Sequence, residues 1–420
     1  MDSTAAWSLN LRKASILTWI SPVIALFFIL ILLNALVWGQ RVNKWKEYKQ
    51  VSIPEIEDGW LQCIQDIQEE IESSYADLFN ERKFIESDVI YIDPAQHGNL
   101  GDAFIVEGTN RLLARLGLSP HNIYTCRESQ ALLRGQCDYN PWLKKDKFIA
   151  IWHGGGNWGD GWDFVQRPRL ASMKKLILQS NATVISFPQS MYYVKENIQI
   201  EDAEKLNQWI ETSDTSSKIV LSFRQENQIE LARSLYPRAD VRLVPDIAFM
   251  IGPLLTPKKI WTSSEESLDA PTFDILFLLR TDKESSRGGI SVDMALDILR
   301  KKSPELGPSL ENLKYKVTDW GGYKDVYPVK KLKEADAMLK VEGARNLLAL
   351  GKVIVSDRLH CSILALLMHK PHVFIEQSYG KISNTRNTAF HVSDHCTNRN
   401  LKFQQASDLV DAIDSAIKFL

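Results

Sequence analysis

The chain is poor in cysteine, carries no block of like charge and has no metal-ligand spacing. Its five cysteines are Cys63, Cys126, Cys137, Cys361 and Cys396 in 420 residues. They show neither the paired spacing of a zinc site nor the density of a disulfide scaffold. An odd count leaves one thiol over. An oxidising compartment would allow Cys126 to pair with Cys137, though the sequence does not require it. Cys361 opens an apolar run, where packing is the better reading than nucleophilic chemistry. The formal net charge is −2, and without a long basic stretch nothing supports nucleic-acid binding. The glycine-rich stretch 153–162 lacks the Gly-Lys-Ser/Thr ending of a phosphate loop and the spaced glycines of a dinucleotide site.

Charge is also missing from residues 16–38. As a helix, that run is long enough to cross a hydrocarbon layer of about 30 Å. No clear small-residue cleavage site follows it. Trp19 and Trp38 stand near its ends, as in an aromatic belt, and Pro22 falls in the first turns, where a helix tolerates it best. Residues 1–15 then form a tail, 16–38 a transmembrane anchor and 39–85 a polar stem. Within the stem, Trp60, Ile64, Ile67 and Ile71 recur at spacings of three and four, which predicts an amphipathic helix. Such a helix caps the first domain, packs on it as a stem, or pairs with another chain in a homo-oligomer.

What the chain does have is a repeated alternation of apolar runs with helical patterns. Runs at 88–93, 147–152, 182–187, 218–223 and 241–244 form one series, and 273–279, 315–318, 353–355 and 372–375 form a second. This order predicts parallel sheets and an α/β fold. A polar, Pro-containing stretch at 254–272 separates the series. We therefore expect two Rossmann-like domains, 86–253 and 273–420, joined by that linker. Ligands of such sheets bind at the carboxyl ends of the strands. Twelve Trp is a generous number. They serve mostly as core, although Trp also stacks on sugar rings.

The strand end richest in chemistry follows residues 353–355. Asp357, Arg358 and His360 stand there, and the apolar run 363–368 continues as a helix. A helix N-terminus favours an anion. Arg358 adds a permanent planar charge and His360 a group that exchanges protons near neutral pH. Read more plainly, Asp357 caps the helix and its neighbours are polar turn residues. Arg224 follows the run 218–223 directly and should face the same cleft. Asp102, after Asn99-Leu100-Gly101, either caps a helix or binds hydroxyls. His153, Asn157, Trp158 and Asp160 surround three consecutive glycines, which form a ligand pocket or a tight structural turn. Lys381 is a phosphate contact or a solvated loop residue.

These stretches, taken in order, resemble the polysaccharide pyruvyl transferase family. The pieces are Asn99 to Asp102, His153 to Asn157 with Gly159 and Asp160, Phe187-Pro188-Gln189-Ser190, Ser222-Phe223-Arg224 with Glu226, Pro245-Asp246, Ser356 to His360, and Tyr379-Gly380-Lys381. The anchored layout is similar to the fungal branch that acts on galactose of N-linked glycans. The resemblance implies a GT-B-like pair of domains facing a cleft. It also implies transfer of the pyruvyl group of phosphoenolpyruvate onto two hydroxyls of a terminal sugar, with no other cofactor and no metal. On that reading Arg224, Arg358 and His360 are catalytic. Arg224, Arg358, Leu359, His360, Ser378 and Lys381 bind the donor. Asn99, Asp102, His153, Asn157, Trp158 and Asp160 bind the acceptor, a galactose-containing glycan or polysaccharide. The resemblance places the catalytic part in the Golgi lumen, as a single-pass type II protein. Arg41, Lys44, Lys46 and Lys49 after the apolar run argue for the opposite orientation against Arg12 and Lys13 before it. A nucleotide-sugar glycosyltransferase and a non-catalytic glycan-binding protein are the alternatives.

Overall fold

The computed structural model describes residues 59–79, 88–95, 99–137, 148–213, 219–254, 271–281, 285, 289–320, 337–376, 380–397 and 401–420. The tail, the apolar run 16–38, most of the linker and Ser378 lie outside these residues. Among the described residues no helix is long and apolar enough to cross a membrane. The described residues form one compact unit containing two parallel sheets.

The chain enters through helix α1 (Gly59–Phe79). Strand β1 (Val89–Ile92), helix α2 (Leu100–Arg115), β2 (Ile123–Cys126), β3 (Phe148–Trp152) and β4 (Gly155–Trp158) follow. Next come α3 (Asp163–Gln179), β5 (Ala182–Met191), α4 (Glu196–Thr212), β6 (Ile219–Phe223), α5 (Glu226–Leu235) and β7 (Asp240–Leu243), and a 3-10 turn at Ile247–Ile251 ends this half. The second half runs β8 (Phe273–Leu278), α6 (Val292–Lys302), β9 (Tyr315–Thr318), α7 (Ala337–Ala349), β10 (Gly351–Ser356) and α8 (Leu359–Leu367). It closes with β11 (His372–Ile375), α9 (Lys381–Phe390), β12 (Phe403–Ala406) and α10 (Leu409–Ile417).

The first sheet has the order β2-β1-β3-β5-β6-β7, with β4 paired to β5, and the second β12-β11-β10-β8-β9. Every pairing is parallel. The apolar runs explain this. Strands such as Phe148–Trp152 and Ile219–Phe223 are buried along their whole length, as a sheet covered by helices on both faces requires. The order reverses between β1 and β3 in the first sheet and between β8 and β10 in the second. Such reversals open a crevice at the strand ends, where ligands bind.

Sequence periodicity missed β2, β4 and β12. β2 and β12 are short edge strands, partly exposed and partly polar, and three of the four β4 residues are glycine or asparagine. The final helix starts at Leu409 because Asp408 accepts from the backbone of Val410 and Asp411.

Helix α1 belongs to the body, although its residues fall in the predicted stem. Trp60, Ile64, Ile67, Ile71 and Tyr75 are all buried. The Tyr75 hydroxyl donates to Ser222 Oγ at 2.8 Å in the first half. The Trp60 indole donates to the carbonyl of Leu366 at 2.6 Å in the second, and its ring stacks on His369. A disulfide from Cys63 to Cys396 adds a covalent tie. The helix thus straps both sheets. A second disulfide joins Cys126 and Cys137, and Cys361 is a buried thiol.

Helix α2 packs against α7, α8 and the 3-10 turn. Gly108 permits this approach, because a Cβ there would stand 2.1 Å from the carbonyl oxygen of Ile247. The N-terminus of α2 is thereby held between the carboxyl ends of the two sheets.

Candidate active site

Arg224 leaves the end of β6 almost fully buried. Its Nε donates to Ser190 Oγ at 2.9 Å, and its Nη1 to Asp246 Oδ2 at 2.5 Å. Asp246 follows β7 and caps the 3-10 turn through Ala248 N at 2.9 Å. The same Oδ2 lies 3.5 Å from His360 Nε2, which has no closer polar partner among the described residues. Burial pushes the Asp246 carboxyl up, but the Arg224 guanidinium and then the His360 ring outweigh it. Together they hold the group well below the ordinary carboxylate range. Asp246 therefore stays ionised and ties the arginine of the first half to the histidine of the second.

His360 sits in the first turn of α8 and is 9% exposed. Its ring meets Phe104 edge-on at 6.2 Å, and Phe104 meets Trp320 in the same way at 6.0 Å. A Cβ on Gly101 would stand 2.6 Å from His360 Nδ1, so the bare backbone of α2 is what admits the ring. The spacing Asn99-Leu100-Gly101 suits this site. Asn99 Oδ1 accepts from Gly101 N at 3.1 Å as a helix cap, and Asn99 Nδ2 donates to Asp102 at 2.8 Å.

Two cations meet at the glycine turn. A Cβ on Gly156 would stand 3.0 Å from Lys381 Nζ and 3.4 Å from Arg224 Nη2. Lys381 opens α9 in the second half, after Gly380 with φ 68°. Positive charge from both halves thus converges on one patch of backbone without a side chain.

Arg358 is held differently. Its Nε and Nη2 donate to the two carboxylate oxygens of Asp319 at 2.5 and 2.7 Å. Thr281 and the Trp320 backbone also donate to Asp319. Asp357 does not cap α8, as the plainer reading had it; it accepts from the backbone of Arg280 at 2.7 Å. Leu359 is buried at the head of α8.

On the first-sheet side a cleft of about 610 Å³ opens at the β1/β3 reversal. Asp102, His153, Gly154 to Gly156 and Asn157 line it, together with Asp93, Arg127 and Phe164. Asn157 is fixed by buried Arg169, whose Nη2 donates to its Oδ1 at 2.7 Å and Nη1 to its carbonyl at 3.1 Å. His153 Nδ1 lies 2.5 Å from the Tyr91 hydroxyl. Burial pushes that phenol up, so it keeps its proton. Asp93 takes a left-handed φ of 58°, and its carboxylate accepts from Ser129 N and Oγ at 2.5 and 2.6 Å. Burial raises the Asp93 carboxyl above its ordinary range, against the opposing pull of Arg169 and Ser129.

The structure brings together Arg224, His360 and Lys381, and separately Asn99, Asp102, His153 and Asn157. Two expected sugar contacts fall elsewhere. Trp158 is 1% exposed in the core, its indole donating to the Tyr236 hydroxyl at 3.0 Å and its ring edge-on to Phe223. A stacking role passes from it to a packing role. Asp160 accepts from the backbone of Val194 and Lys195 and closes a turn. Sequence reasoning did not assign site roles to Asp246, Asp319, Ser190, Phe104 or Asp93. Asp246 and Ser190 had a signal, since both belong to stretches already singled out. Phe104 and Asp319 had none apart from their position near a strand end or helix start.

Arg224 and Lys381 thus meet at the carboxyl ends of two parallel sheets, with His360 and a polar cleft nearby, in an α/β protein. The chain belongs to the polysaccharide pyruvyl transferase family, whose pattern matches residues 99–379. It is similar to pyruvyl transferase 1 of Schizosaccharomyces pombe, with 29% identity over 345 residues, 77% of this chain and 73% of that one. It is also similar to the putative pyruvyl transferase EpsO of Bacillus subtilis, with 24% identity over 317 residues, 71% of this chain and 84% of that one. Among solved structures, a functionally uncharacterized protein from Klebsiella pneumoniae aligns over 80% of this chain and 98% of its own, at 19% identity and a TM-score of 0.45.

Proposed function

We propose that the protein transfers the pyruvyl group of phosphoenolpyruvate onto two hydroxyls of a terminal sugar, forming a cyclic ketal. The observation that carries this reading is the convergence of Arg224 Nη2 and Lys381 Nζ on Gly156. Phosphoenolpyruvate carries a carboxylate and a phosphate, and a side-chain-free patch under two cations suits both. The two-sheet arrangement supports a GT-B-like division, with the donor between the halves and the acceptor in the first-half cleft.

The chemistry is a proton relay with one leaving group. His360 gives a proton to the methylene carbon of the enol, which becomes a methyl group, and the central carbon turns electrophilic. A sugar hydroxyl attacks that carbon and loses its proton to His360. The C–O bond to phosphate breaks, with Arg224 and Lys381 holding the departing charge. The second hydroxyl then closes the ring, and its proton leaves with inorganic phosphate. Asp246 keeps the imidazole oriented throughout. Arg358, locked to Asp319, shapes the head of α8 and adds to the field there. No cofactor other than the donor enters this scheme.

A galactose-containing glycan is the acceptor we favour, through the likeness to the anchored fungal branch. The two disulfides support a catalytic part in an oxidising compartment; the likeness to the anchored fungal branch narrows our proposal to the Golgi lumen, with residues 16–38 as the anchor. Asn181-Ala182-Thr183 offers a readout of that topology. Asn181 is exposed at the entry to β5, opposite the strand ends that form the site. Enzymatic removal of N-glycans should speed its migration on a gel, and Asn181→Gln should abolish the change. Unmodified Asn181 in the secreting host would count against lumenal exposure.

Calorimetric titration tests the donor. Phosphoenolpyruvate should bind the wild type and bind Arg224→Ala and Lys381→Ala at least tenfold more weakly. Binding of a nucleotide sugar, with none of phosphoenolpyruvate, would overturn the reading.

A further inference from the structure

Two unlike sets of residues help to line the cleft at the β1/β3 reversal. One is polar, from Asp102 in the first turn of α2 to Asn157 beside the glycine turn. The other is the first turns of α3, where Phe164, Val165 and Pro168 line the space. Phe164 is 74% exposed, the most exposed large apolar side chain among the described residues. Trp162 meets its ring edge-on at 6.0 Å and supports it on one side. A single exposed apolar residue is ordinary. Here, however, the exposed ring lines a cleft whose lining also carries fixed hydrogen-bonding groups. That combination of an apolar face with a few convergent polar groups is the make-up of a small-ligand site.

A pyranose ring has the complementary form. One face presents C–H bonds that pack on an aromatic ring, and the rim presents hydroxyls. The apolar and polar parts of the lining match these two features, and Gly156, beside whose Cα the two cations stand, lines the same cleft. Asn157 is rigid because Arg169 holds both its side chain and its carbonyl, so it can select a hydroxyl at one position.

We propose that Phe164 is the platform for the acceptor sugar. The ring lies with its C–H face on Phe164, and its hydroxyls reach Asp102 and Asn157, so the two to be bridged point toward Gly156. This deepens the function proposed above and rests on it for the identity of the cleft as the acceptor site. It also moves the aromatic contact from buried Trp158 to an exposed residue of α3.

The test uses the full chain in mild detergent and measures sugar binding in the absence of any donor. Methyl β-galactoside, methyl β-glucoside and methyl α-mannoside are titrated by saturation-transfer NMR, with unfolding temperature and phosphoenolpyruvate affinity measured in parallel. At least one sugar should bind the wild type, and Phe164→Ala should weaken it about tenfold. Phe164→Trp should restore binding, and neither variant should alter donor affinity or the unfolding temperature. In turnover, Phe164→Ala should raise the acceptor KM with little change in kcat. Equal sugar affinity in Phe164→Ala and wild type, or no binding of any of the three by wild type, overturns the platform. Failure of phosphoenolpyruvate to bind would overturn the donor reading instead, and the sugar titration separates the two.

Discussion

The Asp246 carboxylate stands 3.5 Å from His360 Nε2, across the junction between the first-half strand ends and the head of α8. The same oxygen accepts from Arg224 at 2.5 Å. Removing one partner of a buried pair leaves the other charged and unsolvated, at a cost of about 3–5 kcal/mol. Asp246→Ala should therefore lower stability by roughly that amount in denaturant unfolding, and also lose the cap on Ala248. Asp246→Asn keeps the shape but loses the charge. It should lower kcat by at least about tenfold, because His360 loses its orienting anion. Unchanged turnover in a folded Asp246→Asn would dissociate Asp246 from His360.

Two glycines report on the two halves of the site. A methyl group on Gly101 would meet His360 Nδ1 at 2.6 Å, and one on Gly156 would meet Lys381 Nζ at 3.0 Å. Gly101→Ala drives a methyl group into the buried His360 ring, so it should cost turnover and also about 1–3 kcal/mol of stability. Gly156→Ala occupies the space assigned to the donor anion. It should raise the phosphoenolpyruvate KM about tenfold or more and leave the acceptor KM nearly unchanged. Steady-state kinetics with each substrate varied in turn distinguish the two.

Much of this was legible in the sequence because the parallel sheets are buried on both faces. Continuous apolar runs such as 148–152 and 353–355 announce themselves, and the residue that follows each is a candidate for the site. In the structure Arg224 follows β6 directly, and His360 lies in the first turn of the helix after β10. That logic failed for Trp158, because a glycine-rich loop gives no sign that part of it forms a strand pairing with β5. It gave no sign that Arg358 pairs with Asp319, which is 39 residues away in sequence. It missed the strapping role of α1, since periodicity shows an apolar face without showing what covers it. The Cys63–Cys396 link, separated by 333 residues, was equally invisible.

His372 makes stability depend on pH. Burial pushes it down to about 4, with Arg386 acting in the same direction against a hydrogen bond to the Lys370 carbonyl. An unfolded histidine titrates near 6.5. Between those values the unfolded chain binds a proton that the folded chain does not, so stability falls as pH drops from about 6.5 to about 4. The contribution approaches roughly 1.4 kcal/mol per pH unit, up to roughly 3 kcal/mol in all. Urea unfolding at pH 7 and pH 5 should show this loss, and His372→Asn should show less of it. An equal slope in the variant would assign the effect to another group.

The Cys63–Cys396 disulfide closes a very long loop, so its removal relaxes the unfolded chain most. We expect Cys63→Ser with Cys396→Ser to lose about 2–5 kcal/mol. The Cys126–Cys137 loop is short, at a separation of 11, and should contribute less by the same entropy. Thermal unfolding with and without reductant, in the wild type and in each double variant, gives both values. A larger loss from the short loop would contradict this ordering.

Turnover tests pyruvyl transfer itself. The full chain in mild detergent is incubated with phosphoenolpyruvate and a labelled β-galactoside in heavy water, and the products are followed by mass and by phosphate release. One phosphate should appear for each pyruvyl ketal formed, with one solvent deuteron in the new methyl group. Both should disappear in Arg224→Ala and Lys381→Ala. A galactoside left unmodified by phosphoenolpyruvate but extended by a nucleotide sugar would contradict pyruvyl transfer.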